Sequence, residues 1–225
     1  MHWLESWLLP PECVLTHQPS QDRDIDAKLV AEWPIPTEVC PQCCEPSKDS
    51  KICGACLTHP PAFSRTQIGF YFDKELVDLL HGLKYGNKPA YARILAELLA
   101  ERVDANGIEA IIAVPLYAKR FRDRGFNQAQ LIAESLAKIL HIPVINQAVF
   151  RVKNTPTQTH LNAKQRRQNL KNAFSVDANK FSGLVHVALV DDVMTTGATM
   201  QSLAEQIKKK THIEFIQAWS VAKTK

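Results

Sequence analysis

The chain has 225 residues, enough for one α/β domain plus a smaller module, and its 45% apolar and 22% charged residues are typical of a soluble globular protein. No apolar run approaches the ~20 residues that a membrane-spanning helix needs, and the short apolar start, residues 1–9, lacks a basic leader and a small-residue cleavage site. We therefore expect no membrane insertion, no signal peptide and a cytoplasmic location.

Positive charge is concentrated in one stretch of the chain. The net charge is +4, but residues 117–171 hold eleven basic and two acidic side chains, a local net charge of +9 that leaves −5 for the rest. Such an excess indicates an anionic partner, either phosphates or nucleic acid, and a solvated basic surface is the alternative.

Residues 1–65 form the first predicted unit, a loop-rich module interrupted by nine prolines. All six cysteines lie here, and four of them form two C-x-x-C pairs: Cys40 with Cys43, and Cys53 with Cys56. Each pair brings two thiolates to one side of a tight turn, and two pairs complete the tetrahedral site of a structural zinc ion. Redox thiols are the alternative, whereas disulfides are disfavoured in a reducing compartment.

The hydrophobic pattern becomes regular from residue 66, where the second predicted unit, 66–225, begins. Its predicted strands and helices alternate, with Asp73 as the N-cap of the first helix. Strands are expected at 67–72, 111–114, 185–190 and 215–221, an extended segment at 144–150, helices at 73–84, 90–103, 127–140 and 198–210, and a long basic loop at 151–169. This alternation predicts a parallel sheet covered by helices on both faces.

The segment from Asp191 to Thr199 carries the most specific pattern. A buried strand ends in two acids, a Thr-Thr-Gly turn follows, and a helix begins at once. The free N–H groups at the helix start and the threonine hydroxyls suit a phosphate, and Gly197 lets the backbone approach it closely. The adjacent acids would repel a phosphate but can accept hydrogen bonds from a ribose diol. The alternative is an ordinary turn with Asp192 or Thr195 as N-cap.

This motif resembles the phosphoribosyl pyrophosphate (PRPP) motif of type I phosphoribosyltransferases, and the chain is similar to the ComF/GntX family, which includes the ComFC competence proteins. The narrower similarity rests on further matching segments. These are Val114-Pro115-Leu116 with Arg120, Arg124-Gly125-Phe126-Asn127-Gln128-Ala129, Thr157-Gln158 with Leu161, and Arg166-Arg167-Gln168-Asn169-Leu170 leading to Ala173-Phe174. The resemblance implies a type I phosphoribosyltransferase fold with a small N-terminal zinc-binding module.

The resemblance also implies roles for individual residues. Asp191 and Asp192 would hold the ribose, and the residues around the 5-phosphate would be Val193, Met194, Thr195, Thr196, Gly197, Ala198 and Thr199. Basic loops would contact the pyrophosphate together with Mg²⁺, through Lys119, Arg120, Arg124, Arg151, Lys153, Arg166 and Arg167. For each basic residue, a solvated loop is the alternative. Asn127 and Gln128 would either cap the following helix or bind ligand.

Two functions follow from the resemblance. The first is a PRPP-binding protein of natural competence and DNA uptake that handles incoming single-stranded DNA in the cytoplasm, with other competence proteins as partners. The alternative is a Mg²⁺-dependent phosphoribosyltransferase of nucleotide salvage with an unidentified acceptor base. Relatives often carry a further cysteine pair upstream; here Cys13 with His17 is what remains, so a second metal site is not expected. Cys44 is expected to be a bystander.

Overall fold

The computed structural model describes residues 11–20, 23–154 and 172–224. The N-terminal part holds two short helices, α1 (Ala27–Ala31) and α2 (Gly54–Thr58), and a 3-10 turn at Lys48–Ser50. The elements that follow are β1 (Arg65–Tyr71), α3 (Lys74–Tyr85), α4 (Tyr91–Ala100), β2 (Ala110–Ala113), α5 (Ala118–Arg124), α6 (Gln128–Leu140), β3 (Val149–Arg151), β4 (Phe174–Val176), a 3-10 turn (Ala178–Phe181), β5 (His186–Met194), α7 (Ala198–Lys210) and β6 (Phe215–Lys223).

A parallel sheet with the strand order β1-β6-β5-β2 forms the centre of the described chain. Residues 187–190 of β5 are fully buried, as expected for an inner strand of a parallel sheet. Because all four strands run in one direction, their carboxyl ends meet at one edge of the sheet, which is where ligands bind in open α/β folds. Strands β3 and β4 pair separately as an antiparallel hairpin.

Two helices cover the sheet with a continuous apolar layer. Helix α4 packs against α6, and the pair contacts all four strands of the sheet. Their inward positions, among them Leu95, Leu99, Ile132 and Leu136, are fully buried. No helix within the described ranges is long and apolar enough to cross a membrane.

The N-terminal part packs along β1, the edge strand of the sheet. The rings of Trp33 and Phe70 meet edge to face at 5.3 Å between centroids. The Thr66 N–H donates to the Pro41 carbonyl at 2.9 Å, and its hydroxyl donates to the Gln42 carbonyl at 2.5 Å. These contacts cover an edge that would otherwise present unpaired backbone groups. The division into two units at residue 65 stays a prediction.

The observed elements confirm the predicted α/β pattern and the parallel sheet, with two corrections. The segment that carries Lys119, Arg120 and Arg124, expected as a basic loop, contains α5, whose C-cap Gly125 has the left-handed conformation (φ 81°) that closes helices. Strand β5 does not end before the acids but continues to Met194. Within the expected extended segment 144–150, Val144 forms a single parallel bridge with Ile111, and regular pairing begins at Val149.

Candidate functional site

The two acids of the motif lie within the last four residues of β5. Asp192 is 8% exposed, and Asp191 is partly exposed. The Asp192 N–H donates to the Asp191 carboxylate at 2.9 Å, and the Val193 N–H donates to the Asp192 carboxylate at 2.8 Å. Both carboxylates are therefore fixed by the backbone at the carboxyl edge of the sheet.

A lysine from another element contacts this pair. The Lys84 Nζ lies 2.7 Å from the Asp192 Oδ2, and both side chains are mostly buried. Lys84 lies in the last turn of α3, more than one hundred residues before Asp192 in the chain. Sequence analysis missed it because its role depends on this tertiary contact. In the sequence, Lys84 is marked only by its position just before Tyr85-Gly86-Asn87, the segment at which the predicted helix ends.

The electrostatic environment of Asp191 favours its neutral form. Burial raises the pKa of the Asp191 carboxyl, the negative charge of Asp192 raises it further, and the positive charge of Lys84 opposes both. A second cation or a set of hydroxyl donors would therefore be accommodated readily beside this pair.

The turn that follows β5 leads into α7 through a glycine N-cap. Gly197 has φ 71° and precedes the first residue of α7, and the Gln201 N–H donates to its carbonyl at 2.8 Å. The N–H groups in the first turn of a helix have no hydrogen-bond acceptor inside the helix. Thr195 and Thr196 are exposed, whereas Val193, Ala198 and Thr199 are partly exposed and Met194 is buried. The turn therefore presents backbone donors and two hydroxyls at one place.

A cavity of about 530 Å³ lies between helix α5 and Lys84, the lysine that contacts Asp192. Its lining residues are Lys84, Tyr85, Asn87, Arg120, Asp123, Arg124 and Phe126. Three cations and one acid give the cavity a positive character. Of the basic residues predicted on this segment, Arg120 and Arg124 line the cavity, and the exposed Lys119 does not.

Arg124 is held in place by two neighbours. Its guanidinium lies over the Tyr85 ring at 5.1 Å from the centroid, and it donates to the Tyr85 hydroxyl at 3.3 Å and to the Gln128 Oε1 at 2.9 Å. The His81 ring packs against the same tyrosine, with 4.7 Å between ring centroids. Tyr85 therefore supports a cation of the cavity instead of offering a free face for stacking.

The start of α6 shows the capping role predicted for Asn127. Its side-chain oxygen accepts from the Ala129 N–H at 3.2 Å, and its amide donates to the Val114 carbonyl at 3.0 Å. Asn127 therefore acts as the N-cap and ties α6 to the end of β2. Gln128 is 2% exposed and contributes through Arg124.

Arg151 reaches the same region from the β3–β4 hairpin. Burial lowers the pKa of its guanidinium, the charge of Arg120 acts in the same direction, and Asp191 opposes them. Arg151 thus lies close enough to both Arg120 and Asp191 for their charges to act on it. Lys153 is exposed beyond the hairpin. Arg166 and Arg167 lie outside the described residues, as do Gln158 and Asn169.

The four cysteines of the two C-x-x-C pairs form one cluster. All four Sγ atoms lie within 4.8 Å of one another, and those of Cys43 and Cys53 are 3.7 Å apart. A tetrahedral zinc ion with Zn–S bonds of about 2.3 Å requires sulfur separations of about 3.8 Å, so the cluster fits a metal ion of this kind. The Cys53 N–H donates to the Cys40 Sγ at 3.3 Å, a contact that favours the thiolate.

Cys44 and Cys13 are separate from this cluster. Cys44 is 2% exposed, and burial raises the pKa of its thiol to about 11. Cys13 is fully buried in the apolar core. Both are packing residues in the described structure.

Comparison with curated proteins identifies the relatives of this chain. It is 43% identical over 180 residues to competence protein F of Haemophilus influenzae, covering 76% of this chain and 78% of that protein. It is 36% identical over 194 residues to DNA utilization protein YhgH of Salmonella typhimurium, covering 83% and 84%. A shorter match, 29% over 114 residues, joins it to competence protein ComFC of Bacillus subtilis, covering 51% and 44%.

The chain therefore belongs to the ComF family. No protein-family model matches the sequence. Among solved structures, adenine phosphoribosyltransferase from Leishmania tarentolae aligns over 60% of this chain and 71% of that chain at 12% identity with a TM-score of 0.34. UMP synthase of Leishmania donovani aligns at 16% identity over 62% and 22% with the same TM-score.

Proposed function

We propose that the cleft at the carboxyl end of β5 binds a phosphorylated ribose, such as that of PRPP, in a domain of the type I phosphoribosyltransferase fold. The observation that carries the proposal is the juxtaposition of an acidic pair, a glycine-containing helix start and a cationic cavity at one edge of a parallel sheet. A phosphoribosyl ligand carries hydroxyl donors on its ribose and negative charge on its phosphate groups. The ribose therefore suits the acidic pair, and the phosphates suit the helix start and the cationic cavity.

Each part of the ligand has a partner of suitable chemistry. Asp191 and Asp192 would accept hydrogen bonds from the ribose hydroxyls, and residues 195–199 would donate to the 5-phosphate. Arg120, Arg124 and Arg151 would face the pyrophosphate. Mg²⁺, where it accompanies the ligand, would neutralise part of the pyrophosphate charge. Lys84 would hold the Asp192 carboxyl group in place while adding positive charge to the cavity.

The biological role that fits best is in competence, the uptake and use of DNA. Relatives that align over most of this chain carry the names competence protein F and DNA utilization protein. The basic segment 117–171 supports contact with single-stranded DNA, since cationic side chains can track its phosphates. This role would place the protein in the cytoplasm, with other competence proteins as partners. The DNA contact, the location and the partners stay predictions.

The alternative function is transfer of ribose 5-phosphate to an acceptor base. One observation favours it: the cavity between α5 and Lys84 is large enough, at about 530 Å³, to hold more than a pyrophosphate group. Positive charge near the leaving pyrophosphate would stabilise the transition state of such a transfer. No residue of the described chain is assigned to the acceptor.

A calorimetric titration with PRPP and Mg²⁺ tests the ribose-phosphate site. Wild-type protein should bind, and Asp191→Asn with Asp192→Asn should lose about 100-fold in affinity, because each substitution replaces one acceptor oxygen facing the ribose hydroxyls by an N–H donor. Asp123→Asn is the matched control, since Asp123 lines the same cavity without lying on β5. Equal affinity of the folded double variant and wild type would contradict the ribose assignment.

The same titration repeated with a short single-stranded DNA tests the second ligand. Charge removal at Arg166 and Arg167 should weaken DNA binding and flatten its salt dependence, by about 0.7 in log–log slope for each lost phosphate contact. An unchanged slope would show that these arginines do not contact DNA. Formation of pyrophosphate in the presence of a purine or pyrimidine base would favour the transfer reaction instead.

A further inference from the structure

Lys223, the last residue of β6, is a buried cation that the proposed ligand contacts do not use. It is 4% exposed, and its Nζ donates to the Glu45 Oε1 at 2.8 Å and to the Thr195 carbonyl at 3.3 Å. The two acceptors belong to different parts of the molecule. Lys223 therefore bridges the cysteine-containing segment and the turn that follows β5.

Glu45 is part of the first cysteine turn. Its carbonyl accepts from the Cys40 N–H at 2.8 Å, and the Cys44 N–H donates to the Cys40 carbonyl at 2.8 Å. The position of Glu45 thus depends on the turn that presents the Cys40 and Cys43 thiols. A metal ion held by the four thiols would fix that turn, and loss of the ion would release it.

The other end of the bridge is the turn of residues 195–197 between β5 and α7, which we name the phosphate turn after its proposed ligand. The Thr224 N–H donates to the Met194 carbonyl at 3.2 Å, so the end of β6 holds the turn at two successive residues. The segment between the cysteines and β1 adds further support, because the Ala62 N–H donates to the Gln201 Oε1 of α7 at 2.8 Å. Contacts from outside the β5–α7 unit therefore restrain the conformation of this turn.

We propose that Lys223 and Glu45 are positioning residues that couple the metal state of the cysteine cluster to anion binding at the phosphate turn. The proposal rests on the proposed phosphoribosyl site. A peptide carbonyl held by a cation cannot rotate its oxygen toward an anionic ligand, so Lys223 keeps the Thr195–Thr196 peptide oriented for binding. Release of Glu45 leaves a buried ammonium group without its carboxylate, which weakens this restraint.

Thermodynamic linkage gives the coupling a second consequence. If zinc at the cluster strengthens PRPP binding by some factor, PRPP strengthens zinc binding by the same factor. The coupling between two binding sites of one protein typically changes each affinity by about 5- to 150-fold. The cysteine cluster then acts on the ligand site as well as stabilising its own segment.

The test compares wild type with Lys223→Met, Lys223→Arg, Glu45→Gln and a control, Lys51→Met. Lys51 is an exposed lysine of the cysteine segment, paired with Asp49 at 3.3 Å. Zinc content, PRPP·Mg²⁺ affinity and backbone hydrogen exchange at residues 194–200 are measured with and without a zinc chelator. We expect wild type to lose about tenfold in affinity on zinc removal.

Lys223→Met and Glu45→Gln should keep their zinc, bind PRPP about tenfold more weakly than wild type and respond little to the chelator. Lys223→Arg should restore most of the affinity, a rescue that a purely structural role would not predict. Lys51→Met should behave as wild type. Normal PRPP affinity in zinc-loaded Lys223→Met would overturn the coupling and leave the ligand site intact.

Absence of PRPP binding in every protein would instead contradict the proposed function. The bridge is then judged by hydrogen exchange alone. Faster exchange at residues 194–200 in zinc-loaded Lys223→Met, with unchanged exchange in Lys51→Met, supports it, and unchanged exchange in both overturns it.

Discussion

The proposed phosphate turn and the cysteine cluster both depend on tight turns of the backbone, but different forces hold the two regions. The phosphate turn joins β5 to α7, and β5 lies between β2 and β6 with residues 187–190 fully buried. The cysteine turns lie among elements of three to five residues, and Cys43 and Cys53 are partly exposed. Hydrophobic burial therefore orders the strand that leads into the first region, whereas a bound ion would supply much of the stability of the second.

Removal of one cluster thiol should break this comparison most strongly. Cys40→Ser leaves three ligands for a tetrahedral ion, so we expect loss of zinc and faster hydrogen exchange throughout residues 38–58. Zinc binding contributes about 10–16 kcal/mol to the folding of small zinc-finger peptides, and here we expect a loss of several kcal/mol. Metal analysis together with thermal unfolding measures both effects.

Cys44→Ala is the matched control, because Cys44 neighbours a cluster ligand but lies in the apolar core. It should retain one zinc ion per chain and lose no more stability than a small core truncation does. Zinc retained at full stoichiometry in Cys40→Ser would show that this cysteine is not a ligand.

Gly197→Ala should have the next largest effect. A non-glycine residue at φ 71° costs about 1–2 kcal/mol, and the added Cβ would lie 2.7 Å from the Met194 Cε. We expect a fall in melting temperature of a few degrees and about tenfold weaker PRPP binding, since the turn must shift.

Gly183→Ala provides the control for backbone strain. Gly183 has φ 78°, and among the described residues other than its chain neighbours no atom lies within 4 Å of the added Cβ. It should lose comparable stability and keep PRPP affinity. Unchanged affinity in Gly197→Ala as well would mean that the turn does not contact the ligand.

The same two regions show what sequence reasoning could and could not reach. Helix α7 was predicted with its observed limits, because apolar positions recur at helical spacing between a glycine and a basic last turn. Helix α5 was missed because it has no buried residue and hence no apolar periodicity. The end of β5 was placed before Asp191, since two acids resemble a strand end. Lys84 joins the site through tertiary contact alone.

Asp191→Asn should stabilise the protein while impairing ligand binding. The pKa of Asp191 is raised in the folded state, so the folded protein holds this proton more tightly than the unfolded chain does. Its contribution to stability is present below the unfolded pKa of about 3.9 and is lost as pH rises through the folded pKa. The variant should therefore gain stability over wild type as pH rises, by about 1 kcal/mol or 2–4 °C.

Thermal unfolding of both proteins at acidic and alkaline pH measures this difference. Val193, at the next outward position of the strand, offers a control through Val193→Thr, which should show no such pH dependence. A constant difference between Asp191→Asn and wild type at all pH values would contradict the raised pKa.

Tyr85→Phe should have the smallest effect on PRPP affinity. It tests whether the cationic cavity, through Arg124, contacts the pyrophosphate. The change removes the hydroxyl that accepts from Arg124 at 3.3 Å and keeps the ring beneath the guanidinium. Because Arg124 retains its bond to Gln128, we expect about two- to threefold weaker PRPP binding, at the low end for one lost hydrogen bond. Ribose 5-phosphate, which lacks the pyrophosphate, should bind wild type and variant equally well. Equal losses for both ligands would place Arg124 near the ribose 5-phosphate portion instead of the pyrophosphate.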